Sequence, residues 1–311
     1  MVWLLSFLAE GLTFADRADH FSRGRLMSTQ KSTDVPAIED WSRMLEGRVA
    51  VVTGGGDGIG GAISRLFAAH GATVEIAEID PDRAVRTKAD IESAGGTAHA
   101  HIVDVRKFED VDRLAGAVLD RHGRVDVLVN NVGDYRPLVR FQASGPESWQ
   151  AMYEINQLHF YSVTRAFINH MMEAGRGSIV NIHSVEGLRG YPGEPVYGSM
   201  KAAIAHFTTS LAVNVGHYGV RVNGIGVDLT QTPQVDYISG FEDAEQLWPS
   251  WAPVGRLGWP EDQARVALFL ASDMSAYVTG HNIPVDGGTK AGGGWFWSPT
   301  ERRWVNRPKA L

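Results

Sequence analysis

The chain predicts an α/β fold: one Rossmann-like, doubly wound domain of about seven parallel strands with helices on both faces. Three observations predict it. Short apolar, β-branched runs alternate with longer amphipathic stretches from residue 48 to residue 286. The helix-like stretches close on glycine, as "GIGGAISRLFAAHG" and "DRAVRTKADIESAGG" do. A glycine-rich turn follows the first apolar run, where such sheets bind ligands.

The strand candidates, in order, are "RVAVVT" (48–53), "TVEIAEI" (73–79), "TAHAHIV" (97–103) and "VDVLVNN" (125–131). They continue with "SIVNIH" (178–183), "VRVNGIGV" (220–227) and "HNIPVD" (281–286). Near-continuous apolar runs, rather than strict alternation, are what a sheet covered on both faces requires. No repeat or low-complexity linker divides them, so residues 48–286 read as one domain. Residues 1–46 read as a partly disordered N-terminal extension, and 289–311 as an aromatic C-terminal tail. "VWLLSFLA" is too short to span a bilayer and lacks a basic region before it. Met27 resembles a natural start, which leaves residues 1–26 as an upstream extension or a misplaced start.

Composition excludes several functions. The net charge of −7 disfavours nucleic acid as a partner, because phosphate binding needs a basic surface. There is no cysteine, which removes thiol catalysis, disulfides and thiolate metal sites. The expectation is a cytoplasmic protein with no membrane segment.

The turn after the first strand, "TGGGDGIG", offers backbone N–H groups to a pyrophosphate, with a helix N-terminus behind them. The spacing Gly56-x-Gly58-x-x-Gly61 matches the usual fingerprint, but a strand ending at Thr53 favours the register Gly54, Gly58, Gly60. Ile59 lies within the same turn. Glu78 ends the second strand eighteen residues past Gly60, where a carboxylate meets the adenosine ribose. It would repel a 2′-phosphate, and Asp57 argues the same way, so NAD is favoured over NADP. Asp104 and Val105 follow the third strand and are placed to meet the adenine.

"YGSMK" puts Tyr197 and Lys201 at i, i+4, on one face of a helix. A free tyrosine, with a pKa near about 10, is too weak a base at neutral pH. An ammonium about 5 Å away, at an effective dielectric of about 20, stabilises the phenolate by about 3 kcal/mol. That is about two pKa units. Ser184 ends the fifth strand, thirteen residues before Tyr197, and is positioned to hold a substrate oxygen.

These pieces, with "NNVG" at 130–133, "EIN" at 154–156, "VNIHSVEG" at 180–187 and "RVNGIGVDLTQTP" at 221–233, resemble the short-chain dehydrogenase/reductase family over residues 47–288. The resemblance implies a catalytic tetrad at Asn156, Ser184, Tyr197 and Lys201. Asn156 would hold a water that relays the proton, and Lys201 would also bind the nicotinamide ribose. It further implies cofactor contacts at Asn131, Val132, Gly133, Thr230 and Thr232, and a homo-oligomer, commonly a tetramer.

The chain departs from the family pattern at three places. Val132 replaces a small residue. His183 replaces a second serine, and strand alternation points it to the opposite face as a packed, hydrogen-bonded histidine. Val227-Asp228 replaces the usual Pro-Gly, leaving Asp228 facing either the nicotinamide or solvent. His99 and His101 share a strand face, but no carboxylate accompanies them in the sequence, so no metal is expected.

After Thr232 comes an aromatic segment containing Tyr237, Phe241, Leu247, Trp248, Trp251 and Trp259. It reads either as core packing or as a lid over an apolar substrate such as a terpenoid, steroid or aryl alcohol. Gln142 and Glu186 are candidate polar contacts. The tail, with Trp295, Phe296, Trp297 and Trp304, is expected to dock on a neighbouring subunit or close the active site.

The function expected is NAD-dependent interconversion of a secondary alcohol and a ketone. The rivals are an NADP-linked ketone reductase, an enzyme whose bound NAD is recycled by another redox carrier, and a dinucleotide-sensing protein without turnover.

Overall fold

Each predicted apolar run forms a strand in the computed structural model, which describes residues 40–136, 138–239, 248, 251–293, 295–298 and 301–306. The expected N-terminal extension lies outside the described residues up to residue 39.

The strands are β1 (Val49–Thr53), β2 (Thr73–Glu78), β3 (Thr97–Ile102), β4 (Val127–Asn130), β5 (Gly177–Ser184), β6 (Val220–Val227) and β7 (Asn282–Val285). They make one parallel sheet in the order β3-β2-β1-β4-β5-β6-β7. The order reverses between β1 and β4, which opens a crevice beyond their carboxyl ends.

The helices are α1 (Gly58–Ala69), α2 (Pro81–Ser93), α3 (Phe108–His122), α4 (Pro146–Tyr153), α5 (His159–Glu173), α6 (Pro195–Val215) and α7 (Pro260–Ala271). Their starts follow local chemistry. Asp57 caps α1 by accepting from Gly58 N–H, and Asp80 caps α2 ahead of Pro81. Glu194 accepts from the Tyr197 N–H ahead of α6, again with proline first.

Two apolar layers cover the sheet. On one face Ile63, Phe67, Ile91 and Leu268 of α1, α2 and α7 pack against Val52, Val74 and Ile76. On the other, Leu114, Val118, Phe167 and Met171 of α3 and α5 pack against Val51, Leu128 and Ile179. Phe67, Phe160 and Phe167 are fully buried, and truncating any one to alanine costs about 3–5 kcal/mol. The result is a rigid platform with every strand end aimed at one rim.

Beyond β7 the tail returns as a short antiparallel pair, β8 (Phe296–Ser298) with β9 (Arg303–Val305). No described helix is long and apolar enough to cross a membrane.

Candidate active site

The strand ends border a cavity of about 800 Å³. Its first wall is the glycine turn. Gly54 and Gly58 hold φ of 61° and 52°, conformations that β-carbon sterics disfavour. A Cβ on Gly54 would meet Asn131 Nδ2 at 2.9 Å, whereas the space over Gly58 is open as far as Thr232 at 3.8 Å. Gly54, Asp57, Gly58 and Ile59 line the cavity. Gly60 does not: a Cβ there would strike Gly54 O at 2.1 Å. It serves close packing of α1 under the turn, a correction to its expected place among the cofactor contacts.

Glu78, at the end of β2, is 6% exposed and borders the same cavity. Its carboxylate accepts from the N–H groups of Gly56 (3.1 Å), Ile79 (3.0 Å) and Asp80 (3.2 Å), so its position is fixed by the backbone. Arg83 also borders the cavity, with Asp57 at 3.8 Å and Asp80 at 3.5 Å. Arg86 lies 3.3 Å from Asp57. Asp104 and Val105 line the wall beyond β3. Asp104 is held by Arg106 at 2.8 Å, and that bond keeps its carboxyl below the usual range.

Beyond β4, Asn131 ties the two central strands. Its backbone N–H donates to Thr53 Oγ1 (2.9 Å) and its side chain donates to Thr53 O (3.0 Å). Asn131, Val132 and Gly133 all face the cavity. A Cβ on Gly133 would sit 2.5 Å from Lys201 Nζ and 3.0 Å from Asn156 Oδ1. Only glycine leaves that passage open.

Ser184 Oγ donates to Val227 O (3.2 Å) and accepts from Glu186 N–H (3.1 Å). One turn into α6, Lys201 is 4% exposed, with Nζ 5.4 Å from the centre of the Tyr197 ring. Ser184, Tyr197 and Lys201 share the cavity wall. The acidity of Tyr197 differs from the sequence expectation. Burial pushes the phenol above its usual range, against a lowering contribution from Ser184. Burial also lowers Lys201 to about 8, with Asp134 opposing. Desolvation therefore outweighs the lysine charge in the protein alone.

Asn156 stands behind the wall rather than in it. It is fully buried in a π-helical turn, Glu154–Leu158, between α4 and α5. Its side chain clamps Asp134, donating to the carbonyl (2.6 Å) and accepting from the N–H (3.1 Å).

The loop after β6 folds back over the glycine turn. Thr230 and Thr232 line the cavity, and Thr230 Oγ1 bonds Asp228 O (2.9 Å) and Gln263 Nε2 (3.0 Å). Asp228 borders the cavity rather than facing open solvent, and its carboxylate is committed to protein partners. Its carboxylate accepts from Arg189 (2.9 Å), Thr289 (2.7 Å) and Leu229 N–H (2.8 Å). Leu229, the residue after that aspartate, carries φ of 44°, a left-handed conformation that is uncommon outside glycine. Arg189 also binds Glu186 at 2.8 Å, so one buried guanidinium joins two carboxylates.

His183 is 2% exposed, with Nδ1 3.1 Å from Ser184 O. Burial lowers it to about 4, so it is a neutral packed ring. Gln142 is exposed and absent from the cavity wall, against expectation. The aromatic segment divides. Trp251 is buried with Leu229 and Leu257, Tyr237 reaches the cavity, and Trp259 is exposed. Phe241 and Leu247 lie outside the described residues. From the tail, Trp295 stands 5.4 Å from Tyr191 and 5.8 Å from Arg189. Trp295 and Asn306 line the cavity of their own chain. Tyr135, Arg189 and Tyr191 were not singled out in the sequence. Tyr191 and Tyr135 lie six residues before Tyr197 and directly after "NNVGD"; Arg189 carries no local signal, because one of its partners is 39 residues away.

A second cluster corrects the reading of His99 and His101. A carboxylate does accompany them: Glu75 of the neighbouring strand bonds His101, and His122 at 2.6 Å.

A family model described as enoyl-(acyl carrier protein) reductase matches residues 40–290. The chain belongs to the short-chain dehydrogenase/reductase family. It is 38% identical over 247 residues to a 3-oxoacyl-(acyl-carrier-protein) reductase of Chlamydia muridarum, covering 79% of this chain and 98% of that protein. It is 34% identical over 248 residues to a 2,5-dichloro-2,5-cyclohexadiene-1,4-diol dehydrogenase of Sphingobium indicum, covering 80% and 98%. Among solved structures, 7α-hydroxysteroid dehydrogenase complexed with NADH and 7-oxo glycochenodeoxycholic acid matches with a TM-score of 0.74 at 32% identity. That match covers 79% of this chain and 96% of the other. This short-chain dehydrogenase/reductase is therefore an NAD(P)-dependent oxidoreductase, and its glycine-lined crevice fits a dinucleotide.

Proposed function

We propose that this enzyme uses NAD to interconvert a secondary alcohol and a ketone on an apolar, ring-containing substrate. The observation that carries the reading is one cavity with Glu78 at one end and Ser184, Tyr197 and Lys201 at the other. When bound, the nicotinamide supplies the hydride acceptor or donor.

The chain's own residues do the rest. Tyr197 takes the hydroxyl proton of the alcohol, or returns it to the ketone oxygen. Ser184 turns its hydroxyl from Val227 O to the substrate oxygen and holds it within reach of the phenol. Lys201 provides the buried charge that favours phenolate. Asn156 keeps the Gly133–Asp134 loop clear of Lys201 and supports the proton path past it. Tyr135, Tyr191, Tyr237 and Trp295 surround the reacting end with apolar rings, which supports a hydrophobic substrate.

The preference for NAD rests on the fixed Glu78 carboxylate, which accepts from ribose hydroxyls and repels a 2′-phosphate. An NADP-linked reductase draws on Arg83, but Asp57 and Asp80 already offset that charge. The test is kcat/KM with each cofactor, before and after Glu78→Ala. NAD preference should relax by about 100-fold in the variant, from loss of about 3 kcal/mol of selectivity. NADP preference in the unmutated enzyme would overturn the assignment.

A further inference from the structure

Glu75 is a fully buried carboxylate in β2, a strand paired on both sides. A charge placed there needs compensation. It comes from the sheet edge and the end of α3. His122 Nε2 lies 2.6 Å from Oε1, and Arg121 Nη1 lies 3.1 and 3.0 Å from the two oxygens. His101 Nε2 bonds Oε2, and His99 Nε2 stands 4.0 Å from Oε1. None of these five residues borders the dinucleotide cavity.

Three imidazoles around one carboxylate exceed what neutralising a charge requires, since Arg121 alone supplies a cation. One donor atom each from Glu75, His99 and His122 falls within 4.8 Å of the others. We propose that Glu75, His99 and His122 form a binding site for a divalent transition-metal ion of the zinc type.

The geometry is close to that need. Tetrahedral bonds of about 2.0–2.1 Å put neighbouring ligand atoms about 3.3 Å apart. The His122–Glu75 pair must widen from 2.6 Å and the His99–Glu75 pair must close from 4.0 Å. Each is a side-chain adjustment of less than about 1 Å, measured against the spacing that zinc requires. His101, on the other carboxylate oxygen, then acts as the outer partner that orients the ligand. His99 is 35% exposed, so the fourth position opens to solvent. Two imidazoles and one carboxylate suit zinc over magnesium or calcium, which prefer oxygen ligands. Arg121 is the ion's competitor. Its side chain is 40% exposed and free to swing outward as the ion enters.

Calorimetric titration of the full chain with zinc chloride tests this. One zinc per chain is expected, with no heat from magnesium chloride. His99→Ala/His122→Ala should weaken zinc binding at least tenfold, and Arg121→Gln should strengthen it severalfold. Zinc should raise the melting temperature of the unmutated chain and not that of the double variant. Unchanged dinucleotide binding shows that the variant is folded; if the double variant fails to fold, His99→Gln alone supplies the same comparison. Absence of zinc binding, equal affinity in the histidine variants, or weaker binding in Arg121→Gln would each overturn the site.

Discussion

Replacing Lys201 with methionine removes a charge and keeps most of the side-chain volume. Nζ lies 5.4 Å from the centre of the Tyr197 ring. At an effective dielectric of about 20, a unit charge at that distance is worth about 3 kcal/mol. That corresponds to about two units in the pKa of the phenol. Burial already raises Tyr197 and lowers Lys201 to about 8, so the phenolate has little stabilisation to spare. Alcohol oxidation by Lys201→Met, followed by NADH absorbance across pH, should show its ascending limb displaced upward by about two units. At neutral pH, kcat should fall by about 100-fold. Removing a buried ammonium should leave the melting temperature equal or higher, because the desolvation cost disappears. A limb that moves by less than about half a unit, with kcat within about fivefold, would refute the assignment of Lys201 as the charge that tunes Tyr197.

Three further outcomes are expected. His159 and His183 are buried and held neutral at about 3 and about 4, below their unfolded value, so the unfolded chain binds more protons as pH falls through about 6.5. Their stability contribution is complete above that pH; between pH 7 and pH 5 each should lose about 2 kcal/mol, and equal urea midpoints at the two pH values would contradict this. Arg189→Met should cost about 3–5 kcal/mol, because two buried carboxylates lose their guanidinium, and Arg189→Met/Asp228→Asn should recover part of it; urea unfolding measures both, and a loss below about 1 kcal/mol would exclude a structural role for the triad. Trp295→Ala should raise KM for a bulky apolar alcohol about tenfold, from loss of about 1.5 kcal/mol of aromatic contact, with kcat nearly unchanged; steady-state kinetics with unchanged KM would remove Trp295 from the substrate wall.

The fold was legible because its signals are local. β-branched runs, capping residues such as Asp57 and Asp80, and the glycines of the first turn each dictate structure within a few positions. The site was legible where one motif carries both partners, as with Tyr197 and Lys201 on consecutive turns of α6. It was obscure where partners come from distant segments. Asp228 has no readable orientation until Arg189 and Thr289 are placed around it. Asn156 reads as a member of the reacting group, yet a π-helical turn buries it behind Gly133. His99 and His101 look isolated because their carboxylate lies on the adjacent strand, in register with His99.

The linear order of residues determined the strand sequence, the glycine turn after β1 and the phenol–ammonium pair, since periodicity and i, i+4 spacing act within single elements. Only the tertiary structure decided the acidity of Tyr197, the pairing of Asp228, the Trp295 wall and the histidine ring around Glu75. Those properties arise from desolvation and from charges meeting across elements, which depend on distances that no local pattern encodes.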